Sequence, residues 1–308
     1  MPVSLLTAKI HLPLARANVV SRGRLSSRLL DGMEQPASIA LISAPAGFGK
    51  TTMLGEFAAQ CPAPVAWLSL DDNDNDPIQF WTYVIAACQA VQAHLGDAAL
   101  ALLQAPQALR DETIPTLLIN DLAKLPRRLL LVLDDYHAIQ NASVHAGLAF
   151  LLEHMPAQTG LVISTRVDPP LPLARLRVRP GWVEIRALDL RFTTDETGVF
   201  LNQSMGLNLS ESDVAALEAR TEGWIASLQL AAISMKDRSD VSGFIRAFTG
   251  SHAYVAEYLA EEVLQRQPVA VRDFLLRTSI LERMNASLCE AVSGEGSSRV
   301  ESVSTQGG

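Results

Sequence analysis

The sequence predicts an α/β fold, a parallel sheet covered by helices, on three observations. Between Ser38 and Leu190, short apolar runs alternate with longer helical patterns. The runs are almost continuously apolar, as in strands buried on both faces. With 48 % hydrophobic residues in a chain of 308, there is enough apolar side chain for two domains, or for one large domain with an appendage.

Taken in order, the strand candidates are Ile39 to Ser43, Val65 to Leu70, Leu129 to Leu133, Leu161 to Thr165 and Trp182 to Arg186. Asp76 followed by Pro77 is a helix start, an N-cap acceptor with proline at the first helical position. Phe80, Trp81, Val84 and Ile85 form the apolar stripe of that helix, which reads as core. After Arg191 the pattern turns helical over Thr193 to Met205, Ser210 to Thr221 and Glu222 to Lys236, with Thr193, Thr194 or Ser210 as caps. Val255, Tyr258, Leu259 and Val263, then Val271, Phe274, Leu275 and Ile280, place a small third domain between Ser251 and about Ala291. The expected organisation is a sheet domain over 1–190, a helical subdomain over 191–250, a third domain over 251–292 and, because Ser293 to Gly308 is rich in Ser and Gly, a disordered tail over 293–308.

Composition narrows the function. A formal charge of −8, from 33 acidic and 25 basic residues, disfavours direct nucleic-acid binding, which needs a clustered cationic face. Cys61, Cys88 and Cys289 form no CxxC pair, so neither a disulfide framework nor a zinc site is indicated. No apolar stretch approaches the roughly 18 residues a membrane span requires. Lys9, His11, Pro13 and Arg16 break any secretory pattern near the N-terminus. The expectation is a cytoplasmic protein with no membrane contact.

The segment that carries chemistry is IALISAPAGFGKTTMLGEF: an apolar strand, a loop of small residues, then a helix that starts near Lys50. This is a P-loop. Backbone N–H groups of Pro45-following residues Ala46, Gly47, Phe48 and Gly49, together with the helix start at Lys50, Thr51 and Thr52, are placed to surround phosphates. Lys50 reaches the β- and γ-phosphates, and the Thr51 hydroxyl ligates Mg²⁺. Ala44 stands where the strict motif has its first glycine. Downstream, RRLLLVLDDYH ends an apolar strand in two aspartates. Asp134 is the candidate Mg²⁺ ligand and Asp135 the group that orients or polarises the attacking water; the alternative is that they cap the next helix. Arg166, at the end of LVISTR, is a candidate γ-phosphate sensor, set against a surface arginine that pairs with Asp168 or solvent. Arg175, Arg177, Arg179, Arg186 and Arg191 alternate with apolar residues and read as the wet sides of a loop and an edge strand.

DDNDNDP, Asp71 to Pro77, invites a calcium reading. An EF-hand loop needs Gly at its sixth position and Glu at its twelfth, and Asp76 and Thr82 stand there. The histidines show no metal-ligand spacing; His137 alone lies near the aspartate pair.

Together these motifs resemble one family, the large ATP-dependent, MalT-like LuxR-type regulators of bacteria within the STAND class of P-loop NTPases. The likeness runs from residue 3 to about 292 and rests on LLTAKIHLP, VVSRGRL, ISAPAGFGKTT, VAWLSLDDNDNDPIQFW, LLLVLDDYH, LVISTRVDPPLPLARLRVR, RFTTDET, RTEGWIASLQLAAIS and VAEYLAEEVLQRQPVAVRDFLLRTSILERMNASLCEAV. It implies a nucleotide-binding domain, a helical domain and a winged-helix-like domain that close around ADP and rearrange when ATP and an unidentified small-molecule inducer bind, with self-association of the ATP form. It implies a helical-repeat sensor and a DNA-binding helix-turn-helix in segments other than those seen here, so DNA is a partner only through such a segment. Residue by residue, it places Val20 to Arg22 beside the adenine and phosphates. Gly223 and Trp224 fall at the position of a nucleotide-facing GxP motif, here without the proline, and His252 is a candidate phosphate contact. The expected function is an ATP/Mg²⁺ regulatory switch with slow ATPase turnover. The alternatives are a stand-alone P-loop ATPase whose turnover drives another process, and a nucleotide-binding scaffold without hydrolysis.

Overall fold

The computed structural model describes residues 5–13, 19–105, 112–236, 238, 240–248, 253–265, 267–281 and 285–293. Five parallel strands, β1 (Ile39–Ser43), β2 (Val65–Ser69), β3 (Leu129–Asp134), β4 (Thr159–Thr165) and β5 (Trp182–Arg186), lie in the order β2-β3-β4-β1-β5. All five candidate strands are present. The central three, β1, β3 and β4, are buried along their whole length. The expectation of burial on both faces fails for β5, where half-buried and buried residues alternate. It is an edge strand, and one of its faces carries charged side chains.

Alternation along the strands sends successive side chains to opposite faces. Ile39, Leu41, Leu131, Leu133 and Ile163 meet α3 (Pro77–Val91), α4 (Asp97–Leu103), α5 (Thr113–Leu122) and α6 (Ala142–Glu153). Ala40, Ile42, Leu130, Val132 and Val162 meet the other layer, α1 (Gly23–Met33) and α2 (Lys50–Gln60), through Leu29, Leu54 and Phe57. The Asp76 carboxylate accepts from the Gln79 amide, with Pro77 at the first helical position, as the sequence predicts.

Two short helices flank β5, α7 (Leu173–Leu176) before it and α8 (Ala187–Leu190) after it, and a helical bundle follows. The bundle contains α9 (Thr194–Gly198) with a π-helical turn Val199–Ser204, α10 (Glu211–Thr221), α11 (Ile225–Met235) and α12 (Val241–Ala247). Thr193 and Glu196 form a capping box, and Ser210 caps α10. The helix expected from Glu222 begins at Ile225 instead. Glu222 and Gly223 take φ of 51° and 68°, which ends α10 and turns the chain. A Cβ on Gly223 would lie 2.4 Å from the Phe192 carbonyl oxygen, so both the turn and the packing require glycine.

Residues 1–248 form one compact unit that holds both the sheet and the helical bundle, and residues 249–308 form a second. In the second, the described regular structure is helical: α13 (Ala253–Tyr258), a π-helical turn Leu259–Leu264, α14 (Val269–Thr278) and α15 (Ala286–Ser293). Arg277 donates to the Ser293 carbonyl and ties α14 to the end of α15. Ser293 therefore closes a helix, and the rest of the expected tail, 294–308, lies outside the described residues, as does His252. No helix among the described residues is long and apolar enough to cross a membrane.

Candidate functional site

Parallel strands end on the same edge of the sheet. That edge collects Ser43, Asp134 and Thr165 at the C-termini of β1, β3 and β4, in the crevice where open α/β sheets hold ligands. Between β1 and α2 the loop 44–49 takes positive φ at Gly47 (80°) and Gly49 (72°), backbone that glycine adopts at no steric cost. Ala44, at the position usually held by glycine, is buried and its N–H donates to the Thr165 carbonyl at 3.2 Å, so the alanine fits there.

Lys50 opens α2 and is buried. Its Nζ donates to the carbonyls of Ala44 (2.8 Å) and Pro45 (3.1 Å), which folds the ammonium across the loop. Burial pushes its pKa below the usual lysine value, with the nearby Arg166 reinforcing this and Asp135 and Asp134 opposing it. Such a cation gains strongly from an added phosphate charge. The Thr51 hydroxyl donates to Asp134 Oδ2 at 2.7 Å, across 83 residues of sequence. A hydroxyl and a carboxylate thus converge on one point, the oxygen pair suited to a Mg²⁺ ion that also holds phosphate. Burial, and next the charge of Asp135, raise the Asp134 pKa, while the Thr51 hydrogen bond lowers it. A cation there would offset that burial cost. The donor set therefore fits Mg²⁺: Thr51 and Asp134 would hold it, and it would neutralise phosphate charge.

Asp135 follows with φ 57°, a left-handed conformation uncommon for a residue with a side chain. Its N–H donates to Asp134 Oδ1 at 3.1 Å, and His137 Nδ1 lies 3.7 Å from its Oδ1. It precedes a 3-10 turn, Tyr136–Ala138, but its side chain makes no capping hydrogen bond, which sets aside the helix-cap alternative for this aspartate. Arg166 is half-buried and near enough to Lys50 to influence it. The Asp168 carboxylate is bound by Arg186 and lies 3.6 Å from Arg177. The Arg186 hydrogen bond is the largest of the contacts that hold Asp168 below the usual carboxylate range. Pro45 and Thr52 are exposed, and Phe48 is half-buried.

The outer side of the loop shows contacts that the motif does not reveal. Three consecutive carbonyls accept hydrogen bonds from distant segments: Ala46 from Trp224 Nε1 (3.2 Å), Gly47 from the Ala226 N–H (3.1 Å) and Phe48 from Arg22 Nη1 (3.3 Å). Trp224 and Phe48 rings pack 6.4 Å apart, and a Cβ on Gly49 would come within 2.9 Å of Ile225 Cδ1. The Arg22 guanidinium also donates to the carbonyls of Leu190 and Arg191, at the end of α8, and lies over the Phe192 ring at 5.2 Å. Burial lowers its pKa to about 10. Its described side-chain hydrogen bonds go to carbonyls that join the loop to the α8 segment. From the GxP position, the Trp224 indole N–H and the helix-start N–H of Ala226 meet the loop carbonyls.

A lysine and a threonine at a helix start, a glycine loop and a carboxylate ending β3, which is separated from β1 by β4, define a P-loop ATPase. Residues 18–164 match the AAA ATPase domain model, and residues 260–303 match the MalT winged helix domain. The second match continues past the described end of α15. The chain is 34 % identical over 307 residues to the HTH-type transcriptional regulator MalT of Yersinia enterocolitica, covering 98 % of this chain and 34 % of that protein. It is 32 % identical over 280 residues to the serine/threonine-protein kinase PknK of Mycobacterium tuberculosis, covering 90 % of this chain and 25 % of the kinase. The fold is also that of a Walker-type ATPase from Pyrococcus abyssi, with a TM-score of 0.56 at 15 % identity over 94 % of this chain and 88 % of that one. The chain is similar to MalT over 98 % of its own length and spans about a third or less of the length of the two relatives.

Proposed function

We propose that this chain is the ATP- and Mg²⁺-dependent switch of an inducer-responsive transcription regulator, in which slow hydrolysis resets the state that nucleotide binding sets. The observation that carries the reading is the two-sided P-loop. Its N–H groups, Lys50 and Thr51 serve the phosphates, while carbonyls 46, 47 and 48 are held by Trp224, Ala226 and Arg22. A change of loop conformation on binding must be matched by the start of α11 and by the segment at the end of α8. Moving a two-state equilibrium from 1:99 to 99:1 needs about 5.5 kcal/mol of differential affinity, and a triphosphate held by Lys50, Arg166 and Mg²⁺ is the contact that distinguishes ATP from ADP. In this reading Asp135 polarises the attacking water.

Similarity to one protein named a transcriptional regulator and another named a kinase supports a control module that serves different outputs. DNA contact then comes from other segments of the full protein, in keeping with a charge of −8 in this one. The test is nucleotide content of the purified chain together with single- and multiple-turnover hydrolysis in Mg²⁺. Retained nucleotide with at most slow turnover is expected. Fast multiple turnover by the chain alone would replace the switch with an ATPase whose turnover is the output.

A further inference from the structure

The acidic segment Asp71 to Asp76 is left without a role once calcium is set aside, yet it is tightly organised. Asp74 is fully buried and forms an ion pair with Lys9, itself buried, and its Oδ2 also accepts from the Asp71 N–H at 2.9 Å. Asp71 caps the 3-10 turn Asp72–Asn75 by accepting from the Asn73 N–H. These contacts hold one residue, Asn75, half-buried against the loop that follows the aspartate pair.

The Asn75 side chain uses both ends of its amide. Nδ2 donates to the carbonyls of Ala138 (2.8 Å) and Asp72 (3.0 Å), while Oδ1 accepts from the backbone N–H groups of Gln140 (2.6 Å) and Asn141 (3.0 Å). Ala138 in turn donates its N–H to the Asp135 carbonyl at 3.0 Å. One residue therefore separates the Asn75 amide from the backbone of Asp135, whose φ of 57° is costly unless its surroundings impose it. On the other side, the Leu70 N–H donates to the Asp134 carbonyl at 3.0 Å, so the acidic segment departs directly from beside the same aspartate pair.

We infer that Asn75 is a positioning residue for ATP hydrolysis: it clamps loop 138–141 so that Asp135 keeps the backbone conformation from which its carboxylate faces the attacking water. This rests on the hydrolysis role proposed for Asp135. No other residue of similar size supplies two donors and an acceptor in this plane. Leucine keeps the volume and loses all four hydrogen bonds; aspartate keeps the two accepted bonds and loses the two donated ones.

The test uses the full 308-residue chain, with Mg-ATP binding followed by calorimetry and phosphate release followed in single turnover. For Asn75→Leu, hydrolysis is expected to fall about 10- to 100-fold, as for a reacting group displaced by up to an ångström, with ATP affinity within about twofold of wild type. Asn75→Asp is expected to lie between Asn75→Leu and wild type. An unchanged rate in Asn75→Leu would overturn the inference, as would affinity and thermal midpoint falling in step with the rate, the pattern of general loss of structure. Wild-type chain without Lys50-dependent phosphate release would overturn the hydrolysis reading, and this one with it. Normal wild-type release with an unaffected Asn75→Leu rate would overturn this inference alone.

Discussion

The two sides of loop 44–49 share one backbone and meet different chemistry. On the inner side, N–H groups, the Lys50 ammonium and the Thr51 hydroxyl are disposed to meet anionic oxygens and Mg²⁺, a requirement common to P-loops. On the outer side, carbonyls 46, 47 and 48 meet an indole, a helix-start N–H and a guanidinium, donors that come from residues 224, 226 and 22. The peptide unit couples the two sides, because a rotation that re-aims an N–H also re-aims the carbonyl of the same plane.

Substitutions on the two sides should therefore fail differently. The largest effect is expected from Lys50→Ala, which removes the lysine from the phosphates and should abolish tight Mg-ATP binding in a calorimetric titration. Unchanged affinity would remove the inner side from the argument. Next, Asp135→Asn should leave ATP bound and slow its hydrolysis about 10²- to 10⁴-fold, the usual contribution of a positioned general base. Wild-type turnover in single-turnover assays would move that role to another group.

On the outer side, Trp224→Phe keeps a ring against Phe48 but leaves the Ala46 carbonyl without its indole donor. Loss of one such bond is worth about 0.5–1.5 kcal/mol, so ATP affinity should change by at most about tenfold. The nucleotide-dependent change in amide exchange along α11 should shrink by more than the affinity does. If α11 responds to ATP as in wild type, the back of the loop is packing alone.

The smallest effect separates stability from function at the inner side. Asp134 is buried beside Asp135 with its pKa raised, so its ionised form costs stability at neutral pH. Asp134→Asn should raise the thermal midpoint by ~2–4 °C per kcal/mol recovered while weakening Mg²⁺-dependent binding. A raised pKa means the wild-type penalty is present above it and disappears as pH falls through it. The gap between variant and wild type should accordingly close on acidification in calorimetric melts. A gap that widens at low pH would contradict the assigned sign.

Much of the fold was legible because its signals are local. The strands β1 to β4 announce themselves by nearly continuous apolar runs and β5 by alternation, and Asp76–Pro77, Thr193 and Ser210 carry their own caps. The end of a helix at Thr221 was legible, but the turn at Glu222–Gly223 that delays the next helix to Ile225 was not, because the approach of the Phe192 carbonyl to Gly223 involves residues 31 positions apart. Asn75 sat inside a motif that could be tested from sequence only against a metal-loop template, and its partners at 138, 140 and 141 lie on another strand's loop.

From the sequence alone came the candidate groups of the site: Lys50 with Thr51, and the Asp134–Asp135 pair, each marked by the order of strand, loop and helix within a short window. Tertiary structure decided which groups meet across the chain. It placed the Thr51 hydroxyl 2.7 Å from Asp134, turned Arg22 onto three carbonyls and laid the start of α11 on the back of the loop. The physical reason is that backbone N–H and C=O groups are present at nearly every residue, so composition and spacing cannot say which of them will be paired, and only the packing of distant elements selects the partners.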